Sequence, residues 1–238
     1  MLNNVLFKYK YREMEFGVIA QPIIENRTKK VSSFELLSRS IAIDCVDSFF
    51  GTLSASDVTK VSCIQMNQIA DLLSVSNKGD NLRVHVNIHY KTLFNADFIK
   101  LAKKIKWVKF AFEINGFECD AEQLIKLKNA FKIIQSFGHE IWLDDHGVNN
   151  ATVSLLLDLP WDGVKIDKEI VWRSSQEQLC ALVHCCKCYA GKVTLEGVED
   201  EYLQDLSVYA GSDFSQGFNW RLLNKGFFMQ ESPLLLEA

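Results

Sequence analysis

Proline is scarce in this chain: 238 residues contain three, Pro22, Pro160 and Pro233. No Gly/Ser-rich linker or low-complexity block interrupts the sequence, and no motif recurs at a fixed period. Those absences argue against a solenoid or a string of tethered modules and make one domain over residues 1–238 the expected organisation. No window holds 18 uninterrupted apolar residues, so no membrane span is expected. The segment from Met1 to Met14 mixes apolar and charged side chains and has no apolar leader core. A basic surplus is also missing. Lys and Arg number 26 against 30 Asp and Glu, for a formal net charge of −4, which argues against duplex nucleic acid as a partner. A small anionic ligand stays open, because a bound metal can reverse the local sign. The seven cysteines (Cys45, Cys63, Cys119, Cys180, Cys185, Cys186, Cys188) are odd in number. In a long chain without a leader they read as reduced thiols, and a cytoplasmic location is expected.

What is present is a regular alternation of short β-like runs and longer helical patterns. The strands read as Val18–Ile24, Val31–Leu37, Leu82–Ile88, Val108–Ile114, Glu140–Asp144, Gly163–Ile166, Lys192–Leu195 and Asp213–Ser215. Several are continuous apolar runs, as parallel strands covered on both faces should be. Helical spacing marks Ser54–Ser74, Ala96–Lys104, Ala121–Phe137, Ala151–Leu157, Ser174–Ala190 and Asp200–Tyr209; Leu124, Leu127, Ala130, Phe131 and Ile134 form one apolar stripe. Eight strands with repeated crossovers predict an α/β fold, a (β/α)8 TIM-like barrel. The polar turn Glu25–Lys30 has no room for a helix, so the first strand should run antiparallel to the second.

The informative residues are polar ones near strand ends: Glu35, Asn87, Glu113, Asp144, Asp145, Lys165, Glu196 and Gln216. In a barrel the C-terminal strand ends converge on one face, so these positions should share a pocket. Crowded carboxylates must either take up protons or hold a cation. Hard oxygen donors suit Mg²⁺ or Mn²⁺. The adjacent pair Asp144-Asp145 could serve two ions, with Asp144 bridging. Period-2 alternation puts His85 and His89 on the side of Asn87, where one can reach the pocket. Cys180, His184 and Cys188 share a helical face, but cysteine there is read as a small apolar residue rather than a soft-metal ligand. The run Lys103-Lys104-Ile105-Lys106 reads as a solvated face.

Eight segments in order carry a resemblance: Gln21-Pro22-Ile23, Glu35-Leu36-Leu37 followed by Arg39, Val86-Asn87-Ile88, Phe112-Glu113-Ile114, Leu143-Asp144-Asp145, Val164-Lys165-Ile166-Asp167, Glu196-Gly197-Val198-Glu199 and Gln216-Gly217-Phe218. From about Phe16 to Phe228 the chain resembles the EAL-domain family of cyclic di-GMP phosphodiesterases. The resemblance implies that Glu35, Asn87, Glu113, Asp144 and Asp145 are metal ligands. Lys165 would hold or activate the attacking water, with Glu35 and Glu196 also in the catalytic group. Gln21, Leu37, Arg39, Asp145 and Gln216 would contact substrate, Arg39 at a phosphate; Glu199 would be structural. Two Mg²⁺ or Mn²⁺ ions, cyclic di-GMP and a homodimer are the implied cofactors and partners.

Four departures from the family pattern stand out. The signature reads Glu-Leu-Leu rather than Glu-Ala-Leu, at a position that is not a ligand. The segment His146-Gly147-Val148-Asn149-Asn150-Ala151-Thr152 replaces the Phe-Gly-Thr-Gly-Tyr-Ser-Ser of active members, a loop linked to metal binding and dimer coupling. Because family members carry an apolar residue there, His146 is read as a non-ligand. Gly116 stands where many members have a second Glu, and Trp220-Arg221 lies near the place of an Arg-Pro pair. Altered support of this kind costs about 10–100-fold in metal affinity or activity. The implied activity is metal-dependent hydrolysis of cyclic di-GMP to linear pGpG. The alternatives are a module that binds a protein partner or the nucleotide without cleaving it, and a barrel acting on another phosphodiester.

Overall fold

The computed structural model describes residues 4–43, 45–76, 82–148 and 153–229. Nine strands form one sheet: β1 (Phe7–Tyr11), β2 (Met14–Glu25), β3 (Lys30–Arg39), β4 (Arg83–Asn87), β5 (Lys109–Ile114), β6 (Glu140–His146), β7 (Gly163–Ile166), β8 (Val193–Leu195) and β9 (Phe214–Gln216). Strands β2 to β9 close into an eight-stranded barrel through the pairing Ile23↔Gln216. The strand β2 is antiparallel to both of its barrel neighbours, and every other barrel contact is parallel. The expected barrel and its antiparallel first strand are therefore present.

The helices are α1 (Val46–Gly51), α2 (Ala55–Ser74), α3 (Ala96–Lys104), α4 (Ala121–Ser136), α5 (Val153–Asp158), α6 (Lys168–Arg173), α7 (Gln176–Lys187), α8 (Glu201–Tyr209) and α9 (Lys225–Met229). Their starts follow capping chemistry. Asp120 and Ser175 each complete a capping box with a glutamine at the third helical position, and Ser54, Asn95, Asp167 and Asp200 accept from first-turn amides. Of the expected helix at 151–157, residues 151 and 152 lie outside the described residues. No helix among the described residues is long and apolar enough to cross a membrane.

Sequence reading missed β1, α1, α6 and α9. The strand β1 forms a hairpin with β2, Phe7 opposite Val18 and Tyr11 opposite Met14. Its lysines face water while Tyr9 and Tyr11 are buried. That is a period-2 pattern, hidden by the mixture of charges.

Side-chain alternation sorts the barrel interior into layers. On β6, Glu140, Trp142 and Asp144 share a face; on β5, Lys109, Ala111 and Glu113; on β4, Arg83, His85 and Asn87. The bottom layer is an ion cluster. Glu140 forms ion pairs with Arg83 (2.9 Å), Lys109 (2.7 Å) and Lys192 (2.7 Å) and accepts from the Trp142 indole N–H (2.9 Å). These cations outweigh the cost of burial and hold the Glu140 carboxyl down to about 2. Above it, Trp142 packs with Ile23, Ala111 and Phe214 as an apolar floor. Gly163 makes room for it, since a Cβ there would sit 2.6 Å from the indole ring. The outer core, between strands and helices, is a separate and larger apolar cluster.

Candidate active site

The upper interior layer is polar. Lys165, 1% exposed, points its ammonium into a ring of carboxylates: Glu196 Oε1 at 2.7 Å, Glu35 Oε2 and Glu113 Oε1 at 3.1 Å, and Asp144 Oδ1 at 3.2 Å. Asn87 Nδ2 donates to Glu35 Oε1 at 2.6 Å. Gln216 Nε2 donates to Glu35 Oε2 at 2.6 Å and to Gln21 Oε1 at 3.1 Å. Glu35 lies inside β3 rather than at its end, since β3 runs four residues further to Arg39; it is opposite Gln21 on β2 and level with His85 on β4.

Backbone geometry sets the outer members. Asp145 has φ +52°, a left-handed conformation that breaks the β6 alternation. Asn115 Nδ2 donates to Asp145 Oδ2, so the second aspartate also turns toward the mouth instead of following the pleat. Gly217 lies against the Val198 backbone, and a Cβ there would fall 2.0 Å from the Val198 carbonyl oxygen. This contact draws together the segments that follow Glu196 and Gln216.

The charges are unbalanced. Glu35, Glu113, Asp144, Asp145 and Glu196 are five carboxylates; with one ammonium, Lys165, they leave four formal negative charges. Burial and the neighbouring negative charges push Glu113 and Asp144 well above the ordinary carboxylate range, and Asp145 and Glu196 upward, against the pull of Lys165. Glu35 alone is held low: burial raises it, but the Lys165 charge and the donors Gln216, Lys165 and Asn87 outweigh that. Burial disfavours the Lys165 cation, yet Asp144, Glu113, Glu196 and Glu35 raise its affinity for the proton well above that of an ordinary lysine.

The donor set fits a hard divalent cation. Asp144, Asp145 and Glu196 can each present one oxygen with all three within 4.8 Å of one another. Glu113 Oε2 is buried and has no hydrogen-bond partner. Oxygen donors, excess negative charge and an orphaned buried acceptor are what a Mg²⁺- or Mn²⁺-like ion would satisfy. Among the described residues the cysteine-bearing face of α7 forms no such group, and none of the seven cysteines is in a disulfide.

A cleft of about 440 Å³ adjoins the ring, lined by Asn4, Ile19, Gln21, Leu37, Arg39, Phe218 and Leu222. Three of the residues expected to touch substrate, Gln21, Leu37 and Arg39, thus meet in one place. The other two lie against the carboxylate ring, Asp145 beside Asp144 and Glu196 and Gln216 on Glu35, and Gln216 bridges ring and cleft through Gln21. Arg39 donates to the Ser38 carbonyl at 2.7 Å. Phe218, 74% exposed, is an aromatic face standing in water at the cleft. Glu199 is exposed. Of the loop that departs from the family pattern, Asn149, Asn150, Ala151 and Thr152 lie outside the described residues. His146 is buried at the end of β6.

Sequence reading gave no role to Asn115, Phe218, Asn4, Ile19 or Leu222. Asn115 sits two residues after Glu113 and carried no signal of its contact. His85 could be placed on the pocket side by alternation, and it does lie there, 2.7 Å from Glu113. His89 instead stacks on Tyr90 and caps the turn after β4.

A family model described as EAL domain matches residues 7–221. The chain is 26% identical over 225 residues to cyclic di-GMP phosphodiesterase PdeL of Escherichia coli (strain K12), which covers 86% of this chain and 61% of that protein. It spans between 19% and 29% of other curated relatives it matches. The fold is similar to that of the EAL enzyme Bd1971 bound to cAMP and cyclic di-GMP, with a TM-score of 0.76 at 20% identity over 90% of this chain and 63% of that one. It is also similar to Klebsiella pneumoniae BlrP1 in its manganese and cyclic di-GMP complex at pH 9.0, with a TM-score of 0.71 at 21% identity over 93% of this chain and 59% of that one.

Proposed function

This chain belongs to the EAL domain family, and we propose that it hydrolyses cyclic di-GMP to linear pGpG with divalent cations held by Glu35, Asn87, Glu113, Asp144 and Asp145. The observation that carries the proposal is the ring of four carboxylates around Lys165, with Asp145 beside it, opening next to a cleft lined by Gln21, Leu37 and Arg39. Four uncompensated formal negative charges match two divalent ions, and the similar BlrP1 was solved with manganese. Bound cations of this kind supply Lewis acidity and lower the pKa of a coordinated water to about 7 in favourable cases.

The protein's own groups account for the rest. Arg39 offers its guanidinium to a phosphate at the cleft wall. Phe218 offers a π face to a guanine, worth about 1–3 kcal/mol per stacked base. Gln21 and Gln216 form a relay of amides between cleft and ring. Lys165 holds the nucleophilic water in place and offsets the charge of the carboxylates. The oxygen of that water forms a bond to phosphorus, one P–O3′ bond breaks, and the released 3′ oxygen takes a proton. Glu196, raised by burial and close to Lys165, is placed to exchange a proton with the water.

The direct test is chromatography of purified protein with cyclic di-GMP and Mg²⁺ or Mn²⁺, with a chelator control. Appearance of pGpG that the chelator stops is the expected result. A second reading, a module that grips the nucleotide or a protein partner without cleaving, is favoured by the altered sequence after Asp145 and by Gly116. Tight cyclic di-GMP binding with no product would select it. The homodimer and the cytoplasmic location remain part of the proposal; sedimentation and fractionation test them.

A further inference from the structure

The His85 side chain is fully buried in the barrel, one interior layer below Asn87. Its Nδ1 lies 2.7 Å from Glu113 Oε1, its Nε2 has no hydrogen-bond partner, and its ring meets Trp142 edge-on with centroids 4.9 Å apart. The imidazole thus rests on the apolar floor and spends its single hydrogen bond on one carboxylate. Lys165 Nζ approaches the same oxygen, Oε1, at 3.1 Å. Glu113 Oε1 is therefore tied twice to the protein, while Oε2 of the same group is buried with no partner. A carboxylate on a buried strand can turn about its last torsion, which is broad and twofold. A hydrogen-bonded imidazole and an ammonium at the same oxygen hold the group against that rotation.

We propose that His85 is a positioning residue that fixes the rotation of Glu113 and so assigns Oε2, not Oε1, to a divalent cation. The inference rests on the metal-dependent reading above. When Glu113 serves as a ligand its carboxylate can accept but not donate, so His85 carries its proton on Nδ1. The role belongs to geometry: a group that supports a ligand typically sets about 10–100-fold of metal affinity. Asn can present an amide N–H at the place of Nδ1, whereas Phe keeps the ring and loses the donor.

The test is calorimetric titration of Mn²⁺ into the apo forms of wild type, His85→Phe, His85→Asn and Asp144→Asn, with thermal unfolding of each without metal. His85→Phe should bind Mn²⁺ about 10–100-fold more weakly, and His85→Asn should recover most of that loss. A purely structural role would lower the apo unfolding temperature and leave Mn²⁺ affinity unchanged, which overturns the inference. If wild type binds Mn²⁺, Asp144→Asn does not and His85→Phe binds normally, the His85 role fails and the metal site stands. If wild type itself binds none, both fail. Should the Phe variant not fold, the ¹⁵N spectrum of wild-type His85 with Mg²⁺ decides: the Nδ1-protonated tautomer is expected, and the Nε2-protonated one refutes the proposal.

Discussion

Lys165 Nζ and Glu196 Oε1 lie 2.7 Å apart, the shortest of the four contacts that lysine makes with carboxylates. The two residues come from neighbouring parts of the barrel, β7 and the segment after β8, and the ammonium and the acid are in direct contact. Replacing Lys165 by Met should lower cyclic di-GMP turnover by at least about 100-fold, the lower end of what a positioned proton-handling group contributes. Glu35→Ala should do the same. Near-normal pGpG formation by either purified variant would sink the catalytic assignment.

Divalent cation should stabilise the fold, because the carboxylate ring is strained by its own charge when bare. At a concentration of 100 times Kd, a ligand specific for the native state adds about 2.7 kcal/mol. For a chain of this size that corresponds to a rise of roughly 5–10 °C in Tm. Scanning calorimetry with Mn²⁺ should show that rise in wild type, and EDTA should reverse it. The rise should vanish in a double variant Asp144→Asn, Glu196→Gln.

Phe218→Ala should raise KM for cyclic di-GMP about tenfold and leave kcat within a factor of two, as expected for loss of one stacked base. The side chain is exposed, so stability should not change. A fall in kcat at constant KM would mean that Phe218 organises the carboxylate ring instead.

Acid should weaken the barrel floor. The Glu140 carboxyl is held near 2 by Arg83, Lys109 and Lys192, below its value in the unfolded chain. Its contribution is present in full above the unfolded value and is lost as pH falls toward 2. From pH 5 to pH 2 this one group should remove about 3 kcal/mol of unfolding free energy. Urea titrations should show Glu140→Gln less stable at pH 7 and with a shallower decline below pH 5; parallel curves for the two proteins would contradict this.

Gly217→Ala should be costly, because the added Cβ would fall 2.0 Å from the Val198 carbonyl oxygen, backbone against backbone. A loss of about 3 kcal/mol in stability is expected, together with weaker cation binding as the neighbouring Gln216 shifts. Unchanged urea midpoints would show that the chain relaxes there freely.

Much of the site could be read without coordinates. Glu113, Asp144 and Lys165 stand out as charges inside apolar runs, and a barrel brings strand tips together, so their meeting follows from topology. The pairing of His85 with Glu113 depends on which strands are neighbours and in what register, and a one-residue slip would send either side chain to the other face. The contact of Asn115 with Asp145 depends on a left-handed backbone at Asp145 that the residue type does not demand. The strand Phe7–Tyr11 and the helices Val46–Gly51 and Lys168–Arg173 are too short for periodicity to mark them, and tertiary contacts decide their form.

Closure of the sheet joins Ile23 to Gln216, almost two hundred positions further along the chain. A nascent polypeptide must therefore hold two open sheet edges until its last barrel strand arrives, a long-range pairing that forms slowly. Gln216 is also the amide that grips Glu35. Ring completion and the orientation of that carboxylate are thus one event, and the cluster around Lys165 is not assembled before the fold is whole.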